Sequence, residues 1–390
     1  TACRRQRQMC IRDRSLLLSC SSGQEKKLPQ EPISCDILIS NGTIYDGSGS
    51  KPYVGSLAIK DDKIIYVGEN TDFQADTVID ATDLAVSPGF INMLSWGYNS
   101  LMDDGRALSD LKQGVTLEIF GEGTSPGPYW KDGKFTSFGE AMTMLEEKGV
   151  SVNIGSFLGA ATTRILEVGY KNRQATPSEM ERMRGHVENS MKEGAMGIGS
   201  SLIYAPGDYA STEELTELSK VASEYGGMYI SHLRSEGTNL LEALEELISI
   251  SRNANIPAEV YHLKASREPN WSKLDDVIKR IEEVRKEGLK ITADIYTYNA
   301  SSTGLTGVIP TWVQEGGHRA WINRMKDPEV RPRLLADIRE QLDEQPPEGI
   351  LLVGFKTSKM SRKYLAKTVA EAAAMRGQTP EEAIVDMVIE

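Results

Sequence analysis

The chain has 390 residues, 39% apolar and 26% charged, the balance of a soluble globular protein and enough for one large α/β barrel with an appendage or for two domains. A net charge of −12, with Lys and Arg clustered only in the first 14 residues, argues against nucleic acid as a partner, because phosphate contacts need a basic face. All four cysteines (Cys3, Cys10, Cys20 and Cys35) lie in the first 35 residues, so the body carries neither a disulfide framework nor a cysteine-based zinc site.

Residues 1–34 are read as an N-terminus without packed structure. "TACRRQRQMCIRDR" is basic, lacks apolar periodicity and resembles translated adapter sequence, so it is set aside from fold reasoning. "SLLLSC" followed by the polar "SSGQEKKLPQEP" looks like the end of a bacterial lipoprotein signal with a tether. Its apolar run is too short to span a membrane. On this reading Cys20 carries a lipid, that lipid is the one membrane contact, and the protein works in the periplasm or cell envelope.

Residues 35–86 form a small β unit, expected as a β-sandwich portion. "CDILISNGTIYDG" alternates apolar and polar residues and carries an Asn-Gly turn, and "GSLAIKDDKIIYVG" reads as a hairpin through Asp61 and Asp62.

From residue 87 to 390 the pattern changes to strands alternating with helices. Strand-like cores fall at 84–94, 115–120, 150–159, 195–204, 227–232, 258–263 and 289–296. The stretches between them have helical periodicity, and several begin at Ser, Thr or Asn and end at Gly. Seven βα-like units predict an α/β fold: a (β/α)8 TIM-type barrel that is incomplete at its C-terminus, its last segment being helical with no closing strand.

Active-site residues of such a barrel stand at the C-terminal ends of the strands. Strand two ends in "FGEG" with Glu122, strand five in "YISHLRSEG" with His232 and Arg234, and strand six in "EVYHLKAS" with His262 and Lys264. Strand seven ends in "ADIYTYNASST", which holds Asp294, Tyr296, Tyr298 and Ser302. Two of only four histidines thus stand at equivalent places on neighbouring strands, roughly 5 Å apart. They could share one zinc ion, with Glu122 supplying an oxygen from across the barrel and one position left open for water. Glu118 rivals Glu122, its direction depending on the pleat. Lys264 and Arg234 each lie two residues past a histidine and are candidates for binding an anion, or else solvated charges. His186, in a charged helix, and His318, in a loop, read as surface residues.

"DILISNGTIYDGSG" and "IDATDLAVSPGFIN" resemble the opening of the amidohydrolase superfamily, in which a β-sandwich leads into a metal-bearing barrel. "SLIYAPGDYASTEEL", "YISHLRSEG", "HLKAS" and "DIYTYNASST" together resemble the D-aminoacylases, the N-acyl-D-amino-acid deacylases, from about residue 35 to 390. The resemblance implies that His232 and His262 bind zinc and that Lys264, Tyr296 and Ser302 hold the substrate carboxylate, with Arg234 as a helper. It also implies a catalytic aspartate at the end of strand eight, beyond residue 390, so Asp294 is not that residue.

Three departures stand out. The strand-one His-x-His is Leu94 and Trp96, no cysteine ligand stands near "FGEG", and a histidine frequent in the family is Ala160 in "GAATTR". Glu122 stands next to the cysteine's position. The resemblance then implies one zinc ion rather than two, and hydrolysis of an N-acyl-D-amino acid to a D-amino acid and a carboxylate. A cyclic amide or a dipeptide containing a D-amino acid is an alternative substrate, and a catalytically inactive binding protein is an alternative of another class.

Overall fold

The computed structural model describes residues 32–69 and 72–390. The expectations for the unpacked N-terminus and for Cys20 fall outside them, apart from the first residues of strand β1. The described chain divides into two compact units, one ending at Pro88 and one running from Gly89 to Glu390.

The first unit is a mixed sheet of β1 (Ile33–Ile44), β2 (Tyr53–Lys60), β3 (Lys63–Gly68), β4 (Phe73–Asp80) and β5 (Ala85–Val86). β2 pairs antiparallel with β1 and β3, whereas β4 and β5 run parallel to β1. Among the described residues this unit is one sheet, where a sandwich was expected: alternation predicts a strand but not what covers each of its faces. Cys35, Leu38 and Ala58 are buried on one side with Tyr66 and Phe73 against them, while Val54, Ile64 and Val78 are exposed. The Asn-Gly pair is not a turn. It sits inside β1 as a bulge between Ile39 and Gly42, with Asn41 at φ +62°. A side chain at Gly42 would meet Val86 Cγ2 at 2.4 Å, so glycine is what lets β5 lie against β1 here.

The second unit is built on parallel strands. β6 (Phe90–Asn92) pairs with β7 (Val115–Phe120), a hairpin of β8 (Tyr129–Lys131) and β9 (Lys134–Thr136) follows, and β10 (Asn153–Ser156) pairs with β7. β11 (Leu158–Gly159) continues β10 past Phe157 but pairs with β12 (Gly197–Ser201). The order then runs through β13 (Met228–His232) and β14 (Ala258–Val260) to β15 (Ile291–Ala293). With β10 and β11 counted as one strand bent at Phe157, seven parallel positions follow the order of the sequence. The expected strand at 84–94 is cut at Pro88-Gly89: Val86 closes the first sheet and Phe90 opens the second. Proline cannot donate to a ladder.

Helices Phe138–Lys148, Pro177–Lys192 and Thr212–Glu224 start where Ser137, Thr176 and Ser211 accept the backbone N–H three residues on. Glu140 and Glu179 complete reciprocal capping boxes. Helices Leu240–Ala254 and Leu274–Lys286 follow. Their apolar faces close over one side of the strands in a cluster containing Val187, Leu215, Tyr229, Leu244 and Val260. On the other side Ile119, Phe157, Ile230 and Tyr261 meet Met93, Leu94 and Leu117. The sheets therefore curve far enough for β7 side chains to reach those of β13. Beyond β15 the chain is helical from Thr311 to Ile389, around a separate cluster including Val313, Leu334, Ile338 and Ile384. Among the described residues no helix is long and apolar enough to cross a membrane.

Candidate metal centre

Alternation along β13 sends Tyr229 to the helices and Ile230 to the interior, so His232 also points inward at the end of the strand. Its side chain is 6% exposed. Glu122 reaches the same place by a turn. Gly121 has φ +107°, and a side chain there would meet the Phe157 carbonyl oxygen at 2.2 Å. Only glycine lets the chain swing inward at this point. Glu122 Oε1 then lies 3.0 Å from His232 Nδ1 and 3.9 Å from His262 Nε2. Glu118 takes no part. It is buried on the opposite face, where its Oε2 accepts a 2.6 Å hydrogen bond from Ser95 Oγ.

His262 arrives differently. Ala258 and Val260 pack against the helices, so unbroken alternation would carry His262 there too. Instead its φ is +38°, left-handed and uncommon for a side-chain-bearing residue. Asp294 Oδ1, at the end of β15, accepts its backbone N–H at 2.6 Å and satisfies the donor that has left the ladder. The rings of His232 and His262 meet edge to face, centroids 4.5 Å apart.

Donor atoms of Glu122, His232 and His262 all lie within 4.8 Å of one another. Two imidazole nitrogens and a carboxylate oxygen, mostly shielded from water, suit a zinc ion with bonds of about 2 Å. The remaining Glu122 contacts also fix it: Trp96 Nε1 donates to Oε2 at 2.9 Å and Ser201 Oγ to Oε1 at 3.3 Å. Burial alone would raise the Glu122 pKa, but hydrogen bonds and positive charge from His232 and His262 hold it at about 2. Burial would lower that of His262, yet Glu122 and Glu236 raise it to about 9.

Glu236 was not expected. It stands four residues past His232, its Oε1 2.9 Å from His262 Nδ1 and 3.7 Å from His232 Nε2. Burial opposes its charge, but His262, His232 and Lys264 together hold its pKa at about 2.

No protein-family model matches the chain. It is 30% identical over 285 residues to the D-aminoacylase of Alcaligenes xylosoxydans xylosoxydans, covering 69% of this chain and 59% of that protein. It is 27% identical over 284 residues to the N-acyl-D-glutamate deacylase of the same organism. Over this stretch the chain is similar to the D-aminoacylases. It spans about three fifths of the length of these curated relatives. The fold is shared with a D-aminoacylase crystal structure, at a TM-score of 0.72 and 24% identity over 90% of this chain and 70% of that one. It is shared also with N-acyl-D-glutamate deacylase from Bordetella bronchiseptica, complexed with zinc and a phosphonate mimic of the tetrahedral intermediate, at a TM-score of 0.72 and 22% identity over 91% and 73%.

The residues that family resemblance marks for the substrate carboxylate are spread unevenly. Lys264 Nζ lies 3.0 Å from His262 Nδ1, pairs with Glu236, and stands 5.7 Å from the centre of the Tyr296 ring. Tyr296 is 6.4 Å from His262 between ring centroids. Ser302 is exposed in the irregular segment after β15. Arg234 is a correction. Its guanidinium grips both oxygens of Glu246 at 2.8 and 2.9 Å and donates to the carbonyls of Asp208 and Ala210. Those bonds tie the segment around Asp208 to helix Leu240–Ala254, and the side chain is long enough to reach them from a strand end. The expected surface residue His186 bonds Glu167 at 2.8 Å.

Proposed function

We propose that the chain carries the metal-dependent chemistry of an N-acyl-D-amino-acid deacylase, cleaving the amide bond to give a D-amino acid and a carboxylate. One zinc ion is held by Glu122, His232 and His262. The observation that carries this is the convergence of those three donors from the ends of β7, β13 and β14. Reading the parallel strands as a (β/α)8-type barrel, with one strand not among the seven, is supported by their order and by the interior cluster that joins β7 to β13.

Bound there, the zinc would lower the pKa of its water and polarise the scissile carbonyl. The protein's own residues do the rest. Trp96 and Ser201 hold the Glu122 carboxylate still, and a fixed ligand needs no reorganisation during reaction. Leu94 and the interior cluster exclude water below the site. Lys264 offers an ammonium and Tyr296 a hydroxyl toward a substrate α-carboxylate, and Ser302 a further hydroxyl from the following segment. The cleft lined by Trp96, Tyr98, Phe120 and Tyr129 gives room for an acyl chain.

The test is zinc stoichiometry in the full-length protein together with D-amino acid release from N-acetyl-D-amino acids. One zinc per chain and release of the D but not the L product is the expected result. Hydrolysis of a cyclic amide or a dipeptide instead would move the assignment within the superfamily, and zinc-free protein without hydrolysis would make it a binding protein. We also propose a cell-envelope location through a lipid on Cys20, supported by "SLLLSC" before a polar stretch. Mass spectrometry of native protein finding an unmodified Cys20 would count against that.

A further inference from the structure

We infer that Glu236 is a positioning residue of this centre: it fixes which nitrogen of His262 faces the metal and holds Lys264 beside it. The inference rests on the proposed ligand set. His262 lies between two carboxylates, Glu122 toward Nε2 at 3.9 Å and Glu236 toward Nδ1 at 2.9 Å. A neutral imidazole carries one proton, and whichever nitrogen keeps it cannot ligate. Two charged groups crowd the Nδ1 side: the Glu236 carboxylate at 2.9 Å and the Lys264 ammonium at 3.0 Å. The Lys264 ammonium has only donors: two go to Glu236 and to the His262 carbonyl oxygen at 3.1 Å, and the third, 3.0 Å from Nδ1, would bond it only if the ring proton sat on Nε2, which would bar that nitrogen from the ion. Nε2 is the nitrogen that faces Glu122 and the proposed ion, so Nδ1 keeps the proton in the metal-bound state, and Glu236 Oε1 is its acceptor. A carboxylate behind a ligand histidine fixes the ring and increases its basicity.

The backbone shows the arrangement is built. Ser266 N–H donates to the Glu236 carbonyl at 2.7 Å, stitching the segment after β13 to the one after β14. Each segment places its partner four residues past its histidine. The Glu236 side chain is only 16% exposed, so the bond is shielded from competing water.

The experiment is zinc competition against a chromophoric chelator on the full chain and its Glu236→Ala and Glu236→Gln variants, with circular dichroism of the metal-free proteins as control. Glu236→Ala should bind zinc about 10–100-fold more weakly, the range for losing such a partner. Glu236→Gln should stay within about threefold of the parent, because the amide oxygen still accepts the Nδ1 proton. Equal affinity in Glu236→Ala would overturn the inference. So would a Gln variant as weak as the Ala variant, since that would make Glu236 a direct anionic ligand. If the Ala variant fails to fold, nuclear magnetic resonance of the zinc-loaded parent decides: an exchange-protected His262 Nδ1–H signal is expected, and an Nε2–H signal in its place overturns the inference. A parent that binds no zinc at all defeats the ligand set instead, so the two failures are distinct.

Discussion

Trp96 donates its indole N–H to Glu122 Oε2 at 2.9 Å, although the residue as a whole is 62% exposed. The residue standing where the resemblance leads one to expect a metal-binding histidine thus holds a proposed ligand in place. With Oε2 engaged, only Oε1 faces the two imidazoles. Trp96→Phe keeps the ring's bulk and removes the donor. Zinc affinity should fall about tenfold, since a hydrogen bond to a charged group contributes roughly 1.5–3 kcal/mol. Equilibrium competition with a chelator would measure it, and unchanged affinity would make the Trp96 contact incidental.

The two candidate carboxylates on and after β7 should separate cleanly. Glu122→Gln loses the anionic oxygen, and zinc content by elemental analysis should drop well below one per chain. Glu118→Gln can still pair with Ser95, so zinc content should match the parent and stability should change by less than about 1 kcal/mol. His262→Ala removes one of three ligands and should abolish both zinc and hydrolysis.

A substitution that touches no ligand should also damage the site. A side chain at Gly199 on β12 would meet the Gly121 carbonyl oxygen at 2.2 Å. That backbone cannot retreat without moving Glu122. Gly199→Ala should therefore weaken zinc binding as well as costing about 1–3 kcal/mol of stability by overpacking. A variant that unfolds earlier but binds zinc like the parent would show that the turn moves independently of the site.

Arg234→Gln should behave the opposite way. Loss of the Glu246 and carbonyl contacts should cost about 1–3 kcal/mol in thermal unfolding, with zinc content intact. A selective rise in KM at unchanged stability would restore Arg234 to substrate binding.

Much of this centre could be read from strand ends. His232 follows the simple alternation of β13, and the helix starts were visible as Ser or Thr followed by Glu at the third position. His262 was found for an incomplete reason: pleating alone would have aimed it at the helices, and its left-handed backbone turns it back. Nothing local announces such a turn, because it depends on Asp294 one strand away. Glu236 was missed because "RSEG" reads as a solvated loop, and its burial comes from Lys264 and the segment after β14. Arg234 was misread because alternation places a Cα but says little about the tip of a long side chain. The bulge at Asn41-Gly42 looked like a hairpin turn because the two share the same residue preferences.

Glu122 and His232 are 110 residues apart in sequence. An ion bridging them would act as a cross-link across that span, closing a large loop of chain with every helix between β7 and β13 inside it. Ligand linkage then couples folding to free zinc: at one hundred times the dissociation constant the folded chain gains about 2.7 kcal/mol. The melting temperature should climb with free zinc concentration and fall back when a chelator is added, so metal supply would set how long the folded protein persists as well as whether it can react.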